Sequence, residues 1–217
     1  MKNIPVFTSS YGIATLILRE IPWNRTAYVL IRSVWNDQKA ALLEDCKGFC
    51  RAVGAEQIYA SWELEPLPAE PVWDMQIMTR PKAGLPKSEK PVEPEPLTKE
   101  NSKEYLRIYN ACFRSVPCAA SYDERSLEPL YGEDLAWLAK VDGVYAGVAE
   151  ISKTGLEGIA VLPEYKGLGY ELALAVLPMV PASELRLKVA STNLRAISLY
   201  ERLGFVQNGT EKRWWRL

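Results

Sequence analysis

Residues 161–173 read VLPEYKGLGYELA, a β-rich run that ends in a short loop with two glycines and leads directly into a helical run. At such a turn several backbone N–H groups point into one concavity, and the helix N-terminus adds partial positive charge. Gly167 and Gly169 let the backbone approach a ligand closely and adopt dihedral angles that other residues avoid. The segment predicts a strand, an anion-binding turn and a helix in succession, which places the chain among the mixed α/β folds.

The glycine loop alone leaves its ligand open, because G-x-G also occurs in ordinary turns between a strand and a helix. No G-K-[ST] follows it, so the loop is not the P-loop of nucleoside triphosphatases. A dinucleotide-binding fingerprint is also disfavoured, since its third glycine is missing and the preceding strand belongs to an antiparallel pattern.

That antiparallel pattern covers residues 135–162. Two β-rich runs, LAWLAKV and VYAGVAEI, are joined by Asp142-Gly143, a strong signal for a β-hairpin, and a third run, LEGIAVL, leads into the glycine loop. The other elements predicted for this half of the chain are a helix at 101–113, a helix that Pro178 ends near Leu177, a strand at 185–189, a helix at 194–203, and strands at 205–206 and 212–216.

A proline-rich segment divides the chain. Residues 81–98 hold five prolines among charged and small residues, a composition typical of an extended, solvated linker. The sequence therefore predicts an N-terminal α/β domain at 1–80 and a second domain at 99–217. The elements predicted for the first are a hairpin that turns at 22–25, a helix at 38–53 capped by Asn36 or Asp37, and strands at 57–62 and 73–79.

Composition excludes several classes of chemistry. The 217 residues include no histidine, which excludes catalytic triads with His and His-based metal sites, and no metal is expected. The four cysteines match no zinc or redox spacing and are expected to be reduced thiols. With 26 basic and 27 acidic residues, neither nucleic acid nor a membrane is an expected partner. No signal peptide or membrane-spanning run is evident, so the expected location is the cytoplasm.

A second motif, VASTNLRAISLYERLGF at 189–205, changes the interpretation of the loop. The two segments together resemble the acetyl-CoA-binding motif and the motif that follows it in the GNAT superfamily of N-acyltransferases, V-x-P-x-[YF]-[RQ]-x-x-G-x-[GA] and N-x-x-A-x-x-[LF]-Y-x-x-x-G-F. The resemblance covers about residues 95–217. The matching residues are Val161, Pro163, Tyr165, Gly169, Asn193, Ala196, Leu199, Tyr200, Gly204 and Phe205.

The resemblance implies a GNAT fold, which is a mixed, mostly antiparallel sheet flanked by helices. It also implies acetyl-CoA as the acyl donor, with its pantetheine arm paired to the strand before the loop and its pyrophosphate held by the loop amides. The coenzyme-binding residues implied in this way are Ile159, Ala160, Val161, Lys166, Gly167, Leu168, Gly169, Tyr170, Asn193 and Ala196.

The chemistry implied by the family is direct attack of a neutral amine on the thioester, without an acyl-enzyme. Tyr200 is then the general acid that protonates the departing thiolate. Without histidine, the base has to be a carboxylate, a tyrosinate or water. Glu157, acting through water, is the favoured candidate, and Glu150 on the adjacent strand is the second. The acceptor, a small-molecule or peptide amine, is not identified by the sequence.

Two departures from the family pattern, Glu171 and the short helix that Pro178 and Pro181 end near Leu177, support an alternative, a degenerate GNAT-like module that binds acyl-CoA or is purely structural. Glu171 replaces a usual Gly or Ala, and its charge competes with a pyrophosphate for the helix N-terminus. Lys166 replaces Arg or Gln, a milder change.

The N-terminal domain follows the same order of hairpin, helix and strand and resembles a partial GNAT fold. Its segment SVWNDQKAAL has no glycine where the loop should be, so it is expected to bind no coenzyme. The sequence leaves the oligomeric state open, and a homodimer is compatible with it.

Overall fold

The computed structural model describes residues 3–63, 66–88, 90 and 92–217. The chain divides into two compact units, one of Met1–Met75 with Thr210–Leu217 and the other of Gln76–Gly209. The predicted linker at 81–98 includes residues 89 and 91, which lie outside the described residues, and the rest of that segment belongs to the second unit. The chain passes from one unit to the other twice, once within the strand Glu70–Pro81 and once within the strand Val206–Arg216.

The elements up to that passage are β1 (Val6–Ser9), β2 (Gly12–Ile17), α1 (Ile21–Asn24), β3 (Thr26–Val34), α2 (Lys39–Ala52), β4 (Gln57–Ser61) and β5 (Glu70–Pro81). The remaining elements are β6 (Glu95–Pro96), α3 (Ser102–Phe113), α4 (Glu124–Leu127), β7 (Ala136–Val141), β8 (Val144–Ile151), β9 (Gly155–Val161), α5 (Leu168–Val176), β10 (Glu184–Ala190), α6 (Leu194–Arg202) and β11 (Val206–Arg216).

In the first unit, β1, β2 and β3 form an antiparallel sheet, and β4 lies parallel to β3 after the crossover helix α2. The end of β11 pairs antiparallel with β4, where Trp215 lies opposite Ala60. The apolar face of α2 packs on this sheet, and Leu42, Cys46 and Cys50 have no exposed surface. Burial raises the pKa of Cys46 to about 12 and that of Cys50 to about 11, and all four cysteines are free thiols.

Two local predictions for this unit need correction. The predicted hairpin does form between β2 and β3, but its turn contains the short helix α1 and closes on Arg25 in the left-handed region, at φ 57°. The predicted cap of α2 is wrong, because Gln38 occupies the cap position without a side-chain bond. Asn36 and Asp37 instead adopt left-handed φ angles of 51° and 57°, a conformation that short polar side chains tolerate in turns.

The second unit has the predicted mixed, mostly antiparallel sheet flanked by helices. Strands β7, β8 and β9 are antiparallel, and β10 lies parallel to β9 after α5. Asp142 and Gly143 both have positive φ angles, 51° and 80°, as the favoured hairpin turn requires. The strand order in this unit is β11-β5-β10-β9-β8-β7-β6. The strands predicted at 205–206 and 212–216 form one continuous strand, β11.

Each face of this sheet carries its own apolar cluster. The cluster beneath α3 includes Tyr105, Ile108 and Leu138, all fully buried. The cluster beneath α5 includes Leu172, Leu177 and Leu185, also fully buried. Tyr200 of α6 and Leu203, the residue that follows this helix, also belong to it. The sheet is thereby held between two helical layers. Within the described ranges, no helix combines the length and the apolar character needed to span a bilayer.

The pairing of β9 with β10 is short. Only Gly155 and Leu156 of β9 pair with Arg186 and Leu187 of β10, although both strands continue beyond these residues. Gly155 makes this contact sterically feasible, because a Cβ at this position would lie 1.7 Å from the carbonyl oxygen of Arg186.

We expect Gly155→Ala to destabilise the protein by about 1–3 kcal/mol, because the two backbones have to move apart to admit the methyl group. The matched control is Gly48→Ala in the middle of α2, where a Cβ would have no atom within 4 Å. That substitution should stabilise the protein by about 0.5–1 kcal/mol, since alanine favours the helix. Urea unfolding of both variants measures the difference. Equal effects of the two substitutions would contradict the close approach at Gly155.

Candidate active site

Beyond their short ladder, β9 and β10 separate and leave an opening between their C-terminal ends, the β9–β10 opening. Strand β9 continues to Val161 and β10 to Ala190 without further pairing between them. The corresponding parallel pair of the first unit differs, because β3 and β4 pair without interruption from Thr26 and Gln57 to Leu30 and Ser61. The opening is therefore a property of the second unit.

The backbone groups of β9 that face this opening follow from the strand geometry. Leu162 donates its N–H to Ala146 O in β8 at 2.9 Å, and successive residues of a strand direct their N–H and C=O groups to opposite sides. The backbone N–H and C=O groups of Ile159 and Val161 therefore point away from β8. Those of Ala160 point toward β8. The thiol of Cys112 contacts Val161 O, with Sγ 3.5 Å from the oxygen.

The glycine loop supplies backbone donors at one end of the opening. Gly167 is the N-cap of α5 and lies in the left-handed region at φ 93°, which favours glycine. Leu168 N–H and Tyr170 N–H bond to the carbonyls of Tyr165 and Gly167. Of the backbone groups that the structure describes, none accepts from the N–H of Gly167 or Gly169. These two donors at a helix N-terminus suit an anion.

Helix α6 forms the opposite wall. Asn193 caps it by accepting the N–H of Ala196 on Oδ1 at 3.2 Å, which leaves its Nδ2 as a donor. Tyr200 lies farther along the helix with 7% of its surface exposed. Burial raises the pKa of Tyr200 to about 12, so the phenol stays protonated at neutral pH. No group in the described ranges hydrogen-bonds the Tyr200 hydroxyl, which is available to an occupant of the opening.

A cavity of about 470 Å³ fills this region. Most of the residues predicted from the sequence line it, namely Ile159, Ala160, Val161, Gly167, Gly169, Tyr170, Asn193, Ala196 and Tyr200. Three do not. Leu168 is buried in the apolar cluster beneath α5, and Lys166 and Glu157 are exposed outside the cavity wall. The structure thus brings the predicted general acid together with the glycine loop and the capping asparagine.

Further residues line the cavity, and of these Cys112, Arg195 and Arg202 were missed by sequence reasoning, whereas Phe113 and Val116 fall in the segment around 113–134 that the family resemblance assigns to the acceptor pocket. Cys112, Phe113 and Val116 come from the end of α3 and the loop after it, and burial raises the pKa of the Cys112 thiol. The two cations Arg195 and Arg202 lie on α6, and the guanidinium of Arg202 is 4.6 Å from the ring centre of Tyr170. Their spacing of seven residues, which puts both on one helix face, is a signal that could have identified them.

Glu171 does not line the cavity. Its carboxylate accepts a hydrogen bond from Ser88, in the proline-rich segment of the same unit. Glu171, the residue that departs most from the family motif, is therefore hydrogen-bonded to the proline-rich segment. Its side chain does not line the cavity next to the glycine loop.

Glu150, the second candidate base, is buried in β8 with 8% of its surface exposed. The hydroxyls of Tyr105 and Tyr122 donate to its two carboxylate oxygens at 2.6 and 3.0 Å. Burial, as the largest cause, raises the pKa of this carboxyl above its ordinary value. In the part of the chain that the structure describes, no group of three or more Cys, Asp or Glu side chains is arranged to hold a metal ion.

Comparisons with known proteins agree with this geometry. The family model described as "Acetyltransferase (GNAT) family" matches residues 102–205. A search of curated protein sequences found no significant match.

Solved structures of low sequence identity share the fold over nearly the whole chain. A conserved protein of unknown function from Staphylococcus epidermidis ATCC 12228 has a TM-score of 0.64 at 18% identity, covering 100% of this chain and 94% of its own. A GCN5-related N-acetyltransferase from Sphaerobacter thermophilus has a TM-score of 0.61 at 16% identity, with coverage of 94% and 76%.

A tandem GNAT protein from the clavulanic acid biosynthesis pathway has a TM-score of 0.55 at 17% identity, with coverage of 97% and 80%. Its tandem arrangement fits the two units of this chain, whose strands and crossover helix follow the same order. The two motifs, the β9–β10 opening and the family match all lie in one segment of the chain. Residues 102–205 belong to the GNAT acetyltransferase family.

Proposed function

We propose that this protein is an N-acetyltransferase that transfers the acetyl group of acetyl-CoA directly to an amine. The observation that carries the proposal is the β9–β10 opening, where unpaired backbone groups of β9, the amides of the glycine loop and the phenol of Tyr200 line one cavity. An extended, amide-bearing pantetheine arm is the ligand that such an unpaired strand edge accommodates best.

In this arrangement the coenzyme lies along β9. The backbone groups of Ile159 and the C=O of Val161 pair with the two amides of pantetheine, and the Asn193 Nδ2 donates from the other side. The N–H groups of Gly167 and Gly169 hold the pyrophosphate at the start of α5. The guanidinium groups of Arg195 and Arg202 supply the positive charge that the coenzyme phosphates require.

Transfer then needs three functions from the protein. The amine nitrogen attacks the thioester carbon, and the N–H of Val161, which faces the opening, stabilises the negative charge on the carbonyl oxygen. The carbon–sulfur bond breaks, and the departing thiolate takes the proton of the Tyr200 hydroxyl. The amine nitrogen also has to lose a proton, which a carboxylate or water accepts. Glu157 is the candidate from sequence, although it lies exposed outside the cavity wall.

The acceptor is a small-molecule or peptide amine that reaches the cavity from the side of Phe113 and Val116, the part of the cavity wall farthest in sequence from the coenzyme motifs. The first unit is proposed to bind no coenzyme, since its parallel strands remain paired and offer no unpaired edge between them. In this proposal the protein acts in the cytoplasm, and its partners include neither nucleic acid nor a membrane.

Tyr200→Phe should lower turnover about 10²-fold or more, since the thiolate then departs unprotonated, and leave acetyl-CoA affinity nearly intact. A coenzyme A release assay against a panel of amines measures turnover, and calorimetry measures affinity. Tyr145→Phe is the matched control, because Tyr145 hydrogen-bonds Glu95 outside the cavity.

Full turnover in Tyr200→Phe would remove the phenol from the mechanism. Acetyl-CoA binding without coenzyme A release from any amine would instead favour the non-catalytic acyl-CoA-binding module, and absence of binding at high micromolar ligand would overturn the enzyme proposal altogether.

Substitutions at Asn193 separate its capping role from its proposed contact with the coenzyme. Asn193→Ala removes the cap and should cost about 1 kcal/mol of stability, whereas Asn193→Ser retains a good capping side chain and should cost little. Both variants lose the Nδ2 donor, so acetyl-CoA affinity should fall about 2- to 10-fold in each. Unfolding and calorimetry measure the two effects. Wild-type affinity in the serine variant would exclude the amide as a coenzyme ligand.

A further inference from the structure

Glu150 is a buried carboxylate with neutral partners. Its two oxygens accept from the hydroxyls of Tyr105 in α3 and Tyr122 in the loop after it. Among the described residues no cation forms an ion pair with it. Burying a carboxylate without a cation costs stability, and such groups are concentrated where chemistry uses them.

Three titratable groups near Glu150 shift its pKa. They are Tyr105 and Tyr122, whose hydroxyls lower its pKa, and Glu157 of β9, whose negative charge raises it together with burial as the larger cause. The residue opposite on β7 is Ala136, which carries no charge. Burial outweighs the two hydroxyl donors, so the pKa of the Glu150 carboxyl lies above its ordinary value.

Glu150 also lies next to the wall of the cavity. In the β8–β9 ladder it is directly opposite Gly158. The ring of Phe113 covers Gly158, with Cζ 3.2 Å from the position a Cβ would take, and the same ring lines the cavity. One residue pair and one aromatic ring therefore connect the carboxylate to the end of the cavity assigned to the acceptor.

Tyr122 is held firmly in position. The side chain of Asn110 brackets its backbone, donating Nδ2–H to Tyr122 O at 2.8 Å and accepting Tyr122 N–H on Oδ1 at 2.9 Å. Its ring stacks on Tyr109 at a centroid distance of 4.0 Å. Tyr122 is half-buried whereas Glu150 is buried, and both lie behind the residues that line the cavity.

We propose that Glu150 is the final acceptor of the amine's proton and that the Tyr122 hydroxyl relays it. This inference rests on the proposed function. The amine N–H bond breaks as its proton passes through water to the Tyr122 oxygen, while the Tyr122 proton passes to Glu150 Oε2. The carbon–nitrogen bond forms, the carbon–sulfur bond breaks, and the thiolate takes its proton from Tyr200. Glu150 then returns the proton to solvent, and Tyr200 regains one. Glu157 acts on this relay only through its charge.

The pH dependence of kcat/KM tests the proposal. Glu150 has to be ionised to accept a proton, so activity should fall as the pH drops through its raised pKa. Glu150→Gln should remove this acid limb and lower kcat about 10²-fold, with acetyl-CoA affinity unchanged. Tyr122→Phe should lower kcat similarly, because the relay is broken.

Two further variants retain both Glu150 and Tyr122. Each should shift the acid limb of the kcat/KM profile along the pH axis without removing it. Tyr105→Phe removes a donor that favours the ionised carboxylate, so the limb should move to higher pH. Glu157→Gln removes a negative charge, so the limb should move to lower pH. The matched control is Glu95→Gln, whose half-buried carboxylate accepts from Tyr145 and Lys140 and whose loss should leave the profile unchanged.

The titration of Glu150 can also be measured without turnover, by carbon NMR of the ligand-free protein labelled at glutamate carboxyls and assigned with Glu150→Gln. A pKa at or below the ordinary glutamate value would overturn the proposal. So would an unchanged acid limb in a folded Glu150→Gln, or a larger loss in Glu157→Gln than in Glu150→Gln. If Glu150→Gln does not fold, the other two variants decide. Acid limbs that shift to higher pH in Tyr105→Phe and to lower pH in Glu157→Gln support the proposal, and acid limbs that stay in place overturn it. Wild-type protein that releases no coenzyme A with any amine would refute the proposed function, and the relay with it.

Discussion

The early end of the ladder between β9 and β10 is the constraint on which the functional part of this structure depends. Backbone N–H and C=O groups seek partners, and a strand edge left unpaired is a template for another extended chain. Past Leu156, the edge of β9 has no neighbouring strand in the described chain, while β8 and α3 hold the rest of the strand in place. The unpaired edge faces a cavity that α5, α6 and the end of α3 enclose. In the proposed function, a ligand with amides at regular spacing completes the ladder that the protein leaves unfinished.

The first unit provides an internal comparison. Its three antiparallel strands, crossover helix and parallel strand follow the order of β7 to β10, yet its parallel pair stays bonded up to Leu30 and Ser61. The loop that leads into α2 carries Asn36 and Asp37 in left-handed conformations in place of glycines, and Gln38 caps the helix without a side-chain bond. The same order of elements thus gives one unit with an open pair of strands and one with a closed pair. Of these two parallel pairs, only the open one leaves backbone groups between its strands unpaired.

Much of this could be predicted from the sequence, because local signals determine it. The Asp142-Gly143 turn and the glycine loop each encode their conformation within a few residues, and they help to fix the order of strands and helices. Burial and long-range contacts are not encoded in that way. Glu150 and Glu157 look alike in sequence, and only the packing of Tyr105 and Tyr122 makes one buried and leaves the other exposed. Phe113 and Val116 join the cavity because α3 packs across β8 and β9, a contact that no local pattern reports.

Amide hydrogen exchange in β9, measured by NMR with and without saturating acetyl-CoA, tests most directly whether the coenzyme completes this ladder. We predict that the amides of Ile159 and Val161, which face the opening, become strongly protected from hydrogen exchange when acetyl-CoA binds. Ala160, whose amide already faces β8, should change little, and the amides of β3 in the first unit should not change. Unaltered exchange at Ile159 and Val161 in the presence of bound acetyl-CoA would contradict the account, since the coenzyme would then lie elsewhere.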